Sequence, residues 1–485
     1  MAASNKKISL KLLVDKRQSR VVMAESDKDF VDILLSFLTM PMGAIIKLVG
    51  KDSSLGCIGN LYKSVEGLDS QHFQTEACKS MLLNPLNAAG LRCEDLAVNV
   101  DDKINPRTFF TCPESGCCSK ATCYYSSVPN VRCCCGKEMS YADEWTKEDM
   151  NAAGDGVFFR GGLKFIVSDE LHITLASTAV ILSLFSKKGI KDCSILDERI
   201  MDIGHDEILK LLERSLISST PLTDLCFDNS MPSNGKVPNR DGIFQLVPKC
   251  EEDGNSDGEQ LKAKLLLTKT NRKIVYMECD EEVLDFLFSF LTFPLGAVIK
   301  LLNKSSSMGC ADNLYGSAEV LSSQENLCIK SEECKTMLLG PKLAPFCGVK
   351  TQLLKIGELV SRVDSTNAGC YTCDRNGFSC RHGVYIATLK ELNPKFPNKM
   401  TEPGGGYAKG QCKFMVTDDL DVALVSPFST VRIINEFGVP ISNLVEEEVG
   451  IGETQALNLL EAALCSETAL TKVFSSNKRR FVTLD

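Results

Sequence analysis

The stretch that decides the fold reads SFLTMPMGAIIKL, residues Ser36–Leu48, and it occurs a second time as SFLTFPLGAVIKL, residues Ser289–Leu301. Ten of the thirteen positions are identical, and each of the three differences exchanges one apolar residue for another. Changes of this kind are typical of a buried packing unit, in which volume and apolar character are retained. The repeat therefore predicts that the chain contains two copies of one structural unit.

Length and composition agree with a duplicated globular protein. A chain of 485 residues is too long for a single hydrophobic core. Its hydrophobic fraction of 44% and charged fraction of 24% are ordinary for a globular protein. A net charge of −9 gives no overall positive field that would attract nucleic acid or an acidic membrane surface. These values argue against a nucleic-acid-binding protein and predict no membrane association.

A β-hairpin precedes each copy of the repeated stretch. Apolar and polar residues alternate along two short segments that are separated by a polar turn, which is the pattern of two antiparallel strands with one buried face. The two predicted hairpins are Ile8–Val14 with Arg20–Ala24, and Leu261–Leu267 with Lys273–Met277.

A buried helix follows the first hairpin. Ser26 and Asp29 have the spacing of a capping box, which supplies acceptors for free amides at a helix start. Pro41 then ends the helix and begins a second short one, because a proline at the first position needs no amide partner. The apolar residues at helical spacing are Phe30, Ile33, Leu34, Phe37 and Leu38.

A later strand and helix pattern also repeats, so we predict an α+β fold of two tandem homologous halves. Each half consists of two small α+β modules, and a hairpin followed by a helix is compatible with a β-grasp-like unit. The segment between the halves is rich in Asn, Asp, Ser, Gly and Pro, which predicts a linker. The predicted units are a first half, 1–227 (module 1–100, cysteine-rich loop 101–140, module 155–227), a linker, 228–259, and a second half, 260–485 (module 260–360, degenerate loop 361–403, module 404–485).

The cysteine-rich loop is the strongest candidate for chemistry. The N-terminus has no apolar segment of secretory type, so we expect an intracellular protein whose 23 cysteines stay reduced and whose cysteine clusters bind metal. Four thiolates can bind zinc tetrahedrally in a closed structural site. A redox-responsive cluster and a merely cysteine-rich loop remain as alternatives. The preferred zinc ligands are Cys112, Cys117, Cys133 and Cys135, with Cys118 as the substitute, among seven cysteines that also include Cys123 and Cys134.

The corresponding loop of the second half has lost part of this pattern. Where Cys133–Cys135 would fall, it has Pro394, Lys395 and Phe396. Because this loop lacks the counterparts of Cys133–Cys135, we expect no metal site in this half, although Cys370, Cys373, Cys380 and His382 remain.

Two pairs of neighbouring carboxylates also recur, at Asp169–Glu170 and Asp418–Asp419. Paired carboxylates can act as general acid and base. However, consecutive residues of an extended segment point to opposite faces, and Asp after Ser or Thr commonly stabilises a turn. We therefore interpret both pairs as turn residues and predict no catalytic residues.

Several motifs of the two halves form a recognisable set: Ser36–Leu38 with Pro41 and Gly43, Gly56-Cys57, Asn60–Tyr62, Cys135-Gly136 and Val416–Leu420. Together they resemble the plant family known as domain of unknown function 674, over nearly the whole chain. The resemblance implies a plant protein that is commonly duplicated and has no established activity. The duplication and the cysteine-rich loop lead us to expect a non-enzymatic protein that binds an unknown protein partner and contains one structural zinc ion; the alternatives are an enzyme with a site between modules and a thiol redox sensor.

Overall fold

A computed structural model of the chain describes residues 6–51, 55–101, 105–114, 122–145, 155–227, 260–323, 328–361, 388–396, 404–410 and 412–475. The predicted linker, 228–259, lies outside these ranges. The strands are β1 (Ile8–Asp15), β2 (Arg20–Ser26), β3 (Thr108–Thr111), β4 (Thr122–Ser126), β5 (Tyr141–Glu144), β6 (Phe165–Ser168), β7 (Ile173–Leu175), β8 (Leu196–Ile203), β9 (Leu261–Thr268), β10 (Ile274–Cys279), β11 (Thr388–Glu391), β12 (Phe414–Thr417), β13 (Val422–Leu424) and β14 (Leu444–Ile451).

Helices are distributed over both halves, so the fold is mixed α+β, as predicted. Within the described ranges, no helix combines the length and the apolar character needed to cross a bilayer. The helices are α1 (Lys28–Ser36), α2 (Met42–Val49), α3 (Ile58–Gly67), α4 (Glu76–Leu83), α5 (Gly90–Cys93), α6 (Thr178–Lys187), α7 (His205–Ile217), α8 (Pro221–Cys226), α9 (Glu281–Ser289), α10 (Leu295–Leu301), α11 (Ala311–Ser323), α12 (Glu332–Leu339), α13 (Pro427–Phe437), α14 (Glu453–Cys465) and α15 (Ala469–Phe474).

Two five-stranded sheets have the same strand order. One is arranged β7-β6-β2-β1-β8 and the other β13-β12-β10-β9-β14. The predicted hairpins form their centres, and alternation places Leu10, Leu12 and Val14 in the core at 3% exposure or less. Every pairing in these two sheets is antiparallel. The described strands therefore lack the parallel central pair of a β-grasp sheet, and that part of the prediction is wrong.

The predicted modules do not form separate sheets. Strands β1 and β2 come from module 1–100, whereas β6, β7 and β8 come from module 155–227, and all five belong to one sheet. Strand β8 pairs with β1 along its whole length, from Ile8↔Ile203 to Asp15↔Leu196. A boundary between these modules would divide a continuous hydrogen-bonded sheet. The two segments are consequently parts of one folding unit.

The repeated stretch forms buried helical turns, as its apolar pattern predicts. Helix α1 is capped by Asp27, whose side chain accepts a hydrogen bond from the Asp29 amide at 3.1 Å, so the predicted cap at Ser26 was one residue early. A short 3₁₀ turn follows α1, and Pro41 stands immediately before α2. Phe30 and Phe37 are fully buried, and Leu48 and Val49 at the end of α2 are partly buried.

The two copies of the repeated stretch meet at the centre of the molecule. Pro41 and Pro294 form an antiparallel bridge. On either side of it, the Met42 amide donates to Phe293 O at 2.9 Å and the Leu295 amide donates to Met40 O at 3.0 Å. These two bonds are reciprocal. They indicate a local twofold relation between the copies, which is the arrangement that a duplicated unit would produce.

Each half also contributes a helix to the sheet of the other half. The Ser64 hydroxyl of α3 accepts a hydrogen bond from the Val422 amide of β13 at 2.8 Å. In the opposite direction, Ser317 of α11 accepts from the Ile173 amide of β7 at 2.9 Å. These bonds satisfy the free side of an edge strand with a residue from the other half. The halves are therefore interlocked, not simply placed side by side.

Buried Asp32 holds a segment that contacts the other half, and buried Asp285 has the equivalent position in the second half. Asp32 accepts backbone hydrogen bonds from Val157 at 2.5 Å, Phe158 at 2.9 Å and Phe159 at 3.2 Å. The Phe158 carbonyl then accepts from Lys330 of the other half at 2.9 Å. Burial raises the pKa of Asp32 to about 7, and the amide donors oppose this shift. This carboxylate thus positions an inter-half contact.

Asparagine at Asp32 is expected to lower the free energy of unfolding by about 1–3 kcal/mol, because both carboxylate oxygens accept amides and Asn replaces one acceptor with a donor. Asp285 offers a matched control. The backbone amides of Tyr407 and Ala408 both donate to Asp285 Oδ1, so Asn there keeps the acceptor. Urea unfolding should show a smaller loss for Asp285→Asn; equal losses would refute this explanation.

Candidate metal centre

The cysteine-rich loop is supported by a third sheet, with strand order β11-β4-β3-β5. Strand β11 comes from the second half and pairs in parallel with β4. Trp145, the single tryptophan of the chain, lies at one end of the sheet and its ring centroid is 4.5 Å from that of Phe109. Pairing of Thr111 with Tyr141 brings the end of β3 close to the start of β5. Cys112 therefore lies beside the segment that leads into β5.

That segment contains a tight turn between Val131 and Met139. The Cys133 amide donates to Lys137 O at 2.8 Å, and the Gly136 amide donates to Cys133 O at 2.8 Å. Gly136 has φ +83°, a conformation that favours glycine. The turn explains the position of Gly136 directly after the cysteines, because the chain must reverse there. Cys133 thereby begins the reversal, and Cys135 lies inside it.

The turn and the end of β3 bring three sulfur atoms together. The Sγ atoms of Cys112, Cys133 and Cys135 lie within 4.8 Å of one another, and those of Cys112 and Cys135 are 3.5 Å apart. Sulfurs bound tetrahedrally to one zinc ion at about 2.3 Å would be separated by about 3.8 Å. The three sulfurs therefore fit three corners of such a tetrahedron.

The structure does not describe the remaining predicted ligands. Cys117 and the substitute Cys118 lie outside the described residues, and so do Cys370, Cys373, Cys380 and His382 of the second half. Cys134 lies close to Cys133, with 3.7 Å between the sulfurs, but it is not part of the group of three. A fourth thiolate would have to come from elsewhere in the loop.

In the second half, the loop that the sequence aligns with the cysteine-rich loop contains a buried lysine. Lys395 is 1% exposed, and its ammonium donates to Gly348 O at 2.5 Å and to Gly405 O at 3.3 Å. The same ammonium lies 4.0 Å from the centre of the Tyr407 ring. Burial lowers the pKa of Lys395. An internal cation thus links three segments there, a role that the sequence pattern did not reveal.

The recurring carboxylates are structural in this arrangement. Asp169 is fully buried and accepts from the amide and the hydroxyl of Thr223, at 2.9 and 2.8 Å. Asp418 accepts the same two bonds from Thr471, both at 2.7 Å. Each carboxylate therefore ties a turn to a C-terminal helix, α8 or α15, in agreement with the interpretation as turn residues.

A thiol lies near each carboxylate pair, but neither thiol is activated. Burial, reinforced by the charges of Glu170 and Asp169, raises the pKa of Cys310 to about 12. Burial and the charge of Asp419 raise the pKa of Cys57 in the same way. A nucleophilic cysteine needs a lowered pKa, which positive neighbours provide. At these two sites the neighbouring charges are negative, so they raise the pKa of the thiol.

Comparisons with known proteins are consistent with the family resemblance of the motifs. No curated protein and no solved structure matches the chain significantly. A family model does match, over residues 4–454, and its extent includes the repeated stretches, the cysteine-rich loop and both five-stranded sheets. The chain therefore belongs to the family described as "Protein of unknown function (DUF674)".

Proposed function

We propose that this chain is an intracellular plant protein without enzymatic activity, which binds another protein and contains one structural zinc ion in its first half. The proposed zinc site is supported by the sulfur atoms of Cys112, Cys133 and Cys135, which lie close together. Cys117 would complete the site, with Cys118 as the substitute. Four thiolates leave no open position on zinc, so such a site stabilises a fold and performs no catalysis.

The location of the cluster supports a structural role. The turn that contains Cys133 and Cys135 leads directly into β5, while Cys112 directly follows β3. An ion bound to all three would fasten these two paired strands to each other at one end of the sheet. The second half has the Lys395 ammonium in the corresponding loop, where it likewise links separate segments. Cross-linking by a cation is the property that both loops share.

Exposed apolar side chains support a protein partner. They lie on α6, β8 and α13 and in the turn before β14, where they are exposed to water and add nothing to the core. The net charge of −9 makes nucleic acid a less suitable partner than protein. These side chains, with their exposed fractions, are Leu182 (61%), Ile200 (73%), Phe428 (89%), Val431 (58%) and Ile441 (78%).

The competing enzyme hypothesis would use Asp169 or Asp418 with the nearby thiol. We expect Asp169→Ala to lower the free energy of unfolding by about 2–4 kcal/mol, because the Thr223 amide and hydroxyl would lose their buried acceptor and Arg20 its ion-pair partner. Asp202→Ala, at an exposed position of β8, is the control. Denaturant unfolding measures both variants. Full stability of Asp169→Ala, together with loss of a metabolite-converting activity, would favour the enzyme.

A thiol redox sensor is the second candidate, favoured by the 3.5 Å between the Cys112 and Cys135 sulfurs. Mild peroxide would then release zinc and produce a disulfide between these two residues, and a thiol reductant would reverse both changes. Mass spectrometry of the alkylated protein identifies the pair. Zinc retention under peroxide that oxidises exposed Cys193 would exclude the sensor.

A further inference from the structure

The two carboxylate turns occupy equivalent positions but have different surroundings. Asn313 of the second half donates its side-chain amide to Glu170 O at 2.8 Å, and Asn60 of the first half donates to Asp419 O at 3.0 Å. Together with the matching threonine bonds of the preceding aspartates, these contacts align Glu170 with Asp419. The environments of the two side chains can therefore be compared position by position.

Around Glu170 the space is filled by ion pairs. Its carboxylate accepts from Arg20 Nη2 at 2.9 Å and also contacts the ammonium of Lys188. Arg20 in addition reaches Asp169 at 3.0 Å. Burial acts to raise the pKa of Glu170, but the hydrogen bond from Lys188 and the charges of Lys188 and Arg20 together lower it. We call this arrangement the closed niche.

The equivalent position in the other half is open. Asp419 is one carbon shorter than Glu170 and turns inward, where it accepts from Thr417 Oγ1 at 2.6 Å and Asn60 Nδ2 at 3.3 Å. Lys273 directly precedes β10, and Arg20 is the first residue of the equivalent strand β2. Phe437 corresponds to Lys188, because each lies eleven residues after a capping serine and directly before a glycine with φ near +70°.

These replacements leave Lys273 with an unusual set of neighbours. Its ammonium lies 4.9 Å from the centre of the Phe437 ring. Asp418, the nearest equivalent of Asp169, is already engaged by Thr471. Within the described part of the chain, Lys273 forms no ion pair shorter than 4.0 Å. The place that the Glu170 carboxylate occupies in the closed niche has no counterpart here.

A solvent-connected pocket of about 580 Å³ surrounds this position. Cys57, Asn60 and Lys63 line one side, and Lys273, Asp419 and Phe437 line another, so both halves contribute. Of its acidic residues, Asp418 and Asp419 are engaged by the bonds described above, and Glu436 is exposed with only a 3.8 Å pair to Arg432. Glu467 adds a charge at the exposed rim.

We propose that this pocket binds a small organic carboxylate. The ligand carboxylate would contact the Lys273 ammonium, as the Glu170 carboxylate contacts Arg20, and its carbon skeleton would lie against Phe437. The charge-assisted hydrogen bond would orient the ligand, and the aromatic ring would remove water from its carbon skeleton. This combination is typical of small-molecule sites. The site is independent of the zinc cluster.

Titration of the full chain with benzoate, followed by calorimetry or ligand-observed NMR, tests the proposal. We expect a dissociation constant on the order of 1 mM and binding at least about tenfold weaker for neutral benzamide. Lys273→Gln should weaken benzoate binding about tenfold, whereas Lys273→Arg should keep it within about threefold. Lys191→Gln, which removes an exposed lysine of the other half, should leave it unchanged.

The triple variant Lys273→Arg, Asp419→Glu, Phe437→Lys rebuilds the closed niche and should abolish benzoate binding while leaving the unfolding midpoint in place. Equal affinities for benzoate and benzamide would overturn the proposal. So would undiminished benzoate binding by Lys273→Gln. Because Lys273 is exposed, its single variants are expected to fold, and circular dichroism verifies this for each one.

Discussion

Alanine at Gly56 is expected to destabilise the protein by about 2–5 kcal/mol, because the substitution forces the two halves apart. A Cβ at this position would lie 2.6 Å from Ala463 O and 2.7 Å from Leu464 C, which are backbone atoms of α14 in the other half. Backbone atoms cannot move aside as a flexible side chain can. The cost combines this overpacking with the strain of a non-glycine residue at φ +53°.

Gly438→Ala separates these two contributions. Gly438 has φ +70°, but a Cβ there would have no neighbour within 4 Å, so only the conformational cost of about 1 kcal/mol remains. Gly309→Ala tests the reciprocal contact, because its Cβ would lie 2.7 Å from Ser215 O in α7. Urea unfolding followed by circular dichroism compares the three variants. A Gly56→Ala loss no larger than that of Gly438→Ala would contradict the interlocked packing.

Removal of the metal is the second large effect that we expect. Replacing Cys133 with Ser should abolish zinc binding and lower stability by about 4 kcal/mol, which corresponds to a free zinc concentration a thousandfold above the dissociation constant. Because Trp145 is the single tryptophan and packs against Phe109 in the third sheet, its fluorescence reports on this sheet. Chelation of the unmodified protein should change the emission in the same direction.

Cys193→Ser is the matched control, since Cys193 is an exposed cysteine outside the cluster. It should retain zinc, full stability and the original emission spectrum. Unchanged stability of Cys133→Ser would show that the cluster has no structural role. An equal loss in both variants would point to a general sensitivity to cysteine replacement.

The sequence predicted well what local patterns control. Alternation in Ile8–Val14 placed the hairpin and its buried face, and the spacing of Phe30 and Phe37 placed α1 in the core. The helix start was misplaced by one residue because Ser26 and Asp27 are both good capping residues, and only the geometry of the strand end decides between them.

What the sequence could not show was which segment packs on which. Periodicity tells that α3 and β13 each have a buried side, but it contains no information that Ser64 meets Val422 across the two halves. The same limit produced the division into modules 1–100 and 155–227, whose strands share a sheet. From the sequence, Lys395 is only a replacement for cysteine, because a lysine is expected at the surface unless the fold supplies buried acceptors.

Zinc-edge X-ray absorption of the full chain tests the proposed metal centre most directly. We predict one zinc ion per chain with four sulfur neighbours at about 2.3 Å, three of them supplied by Cys112, Cys133 and Cys135. Protein purified under reducing conditions without bound zinc, or with a zinc ion surrounded mainly by nitrogen and oxygen, would contradict it.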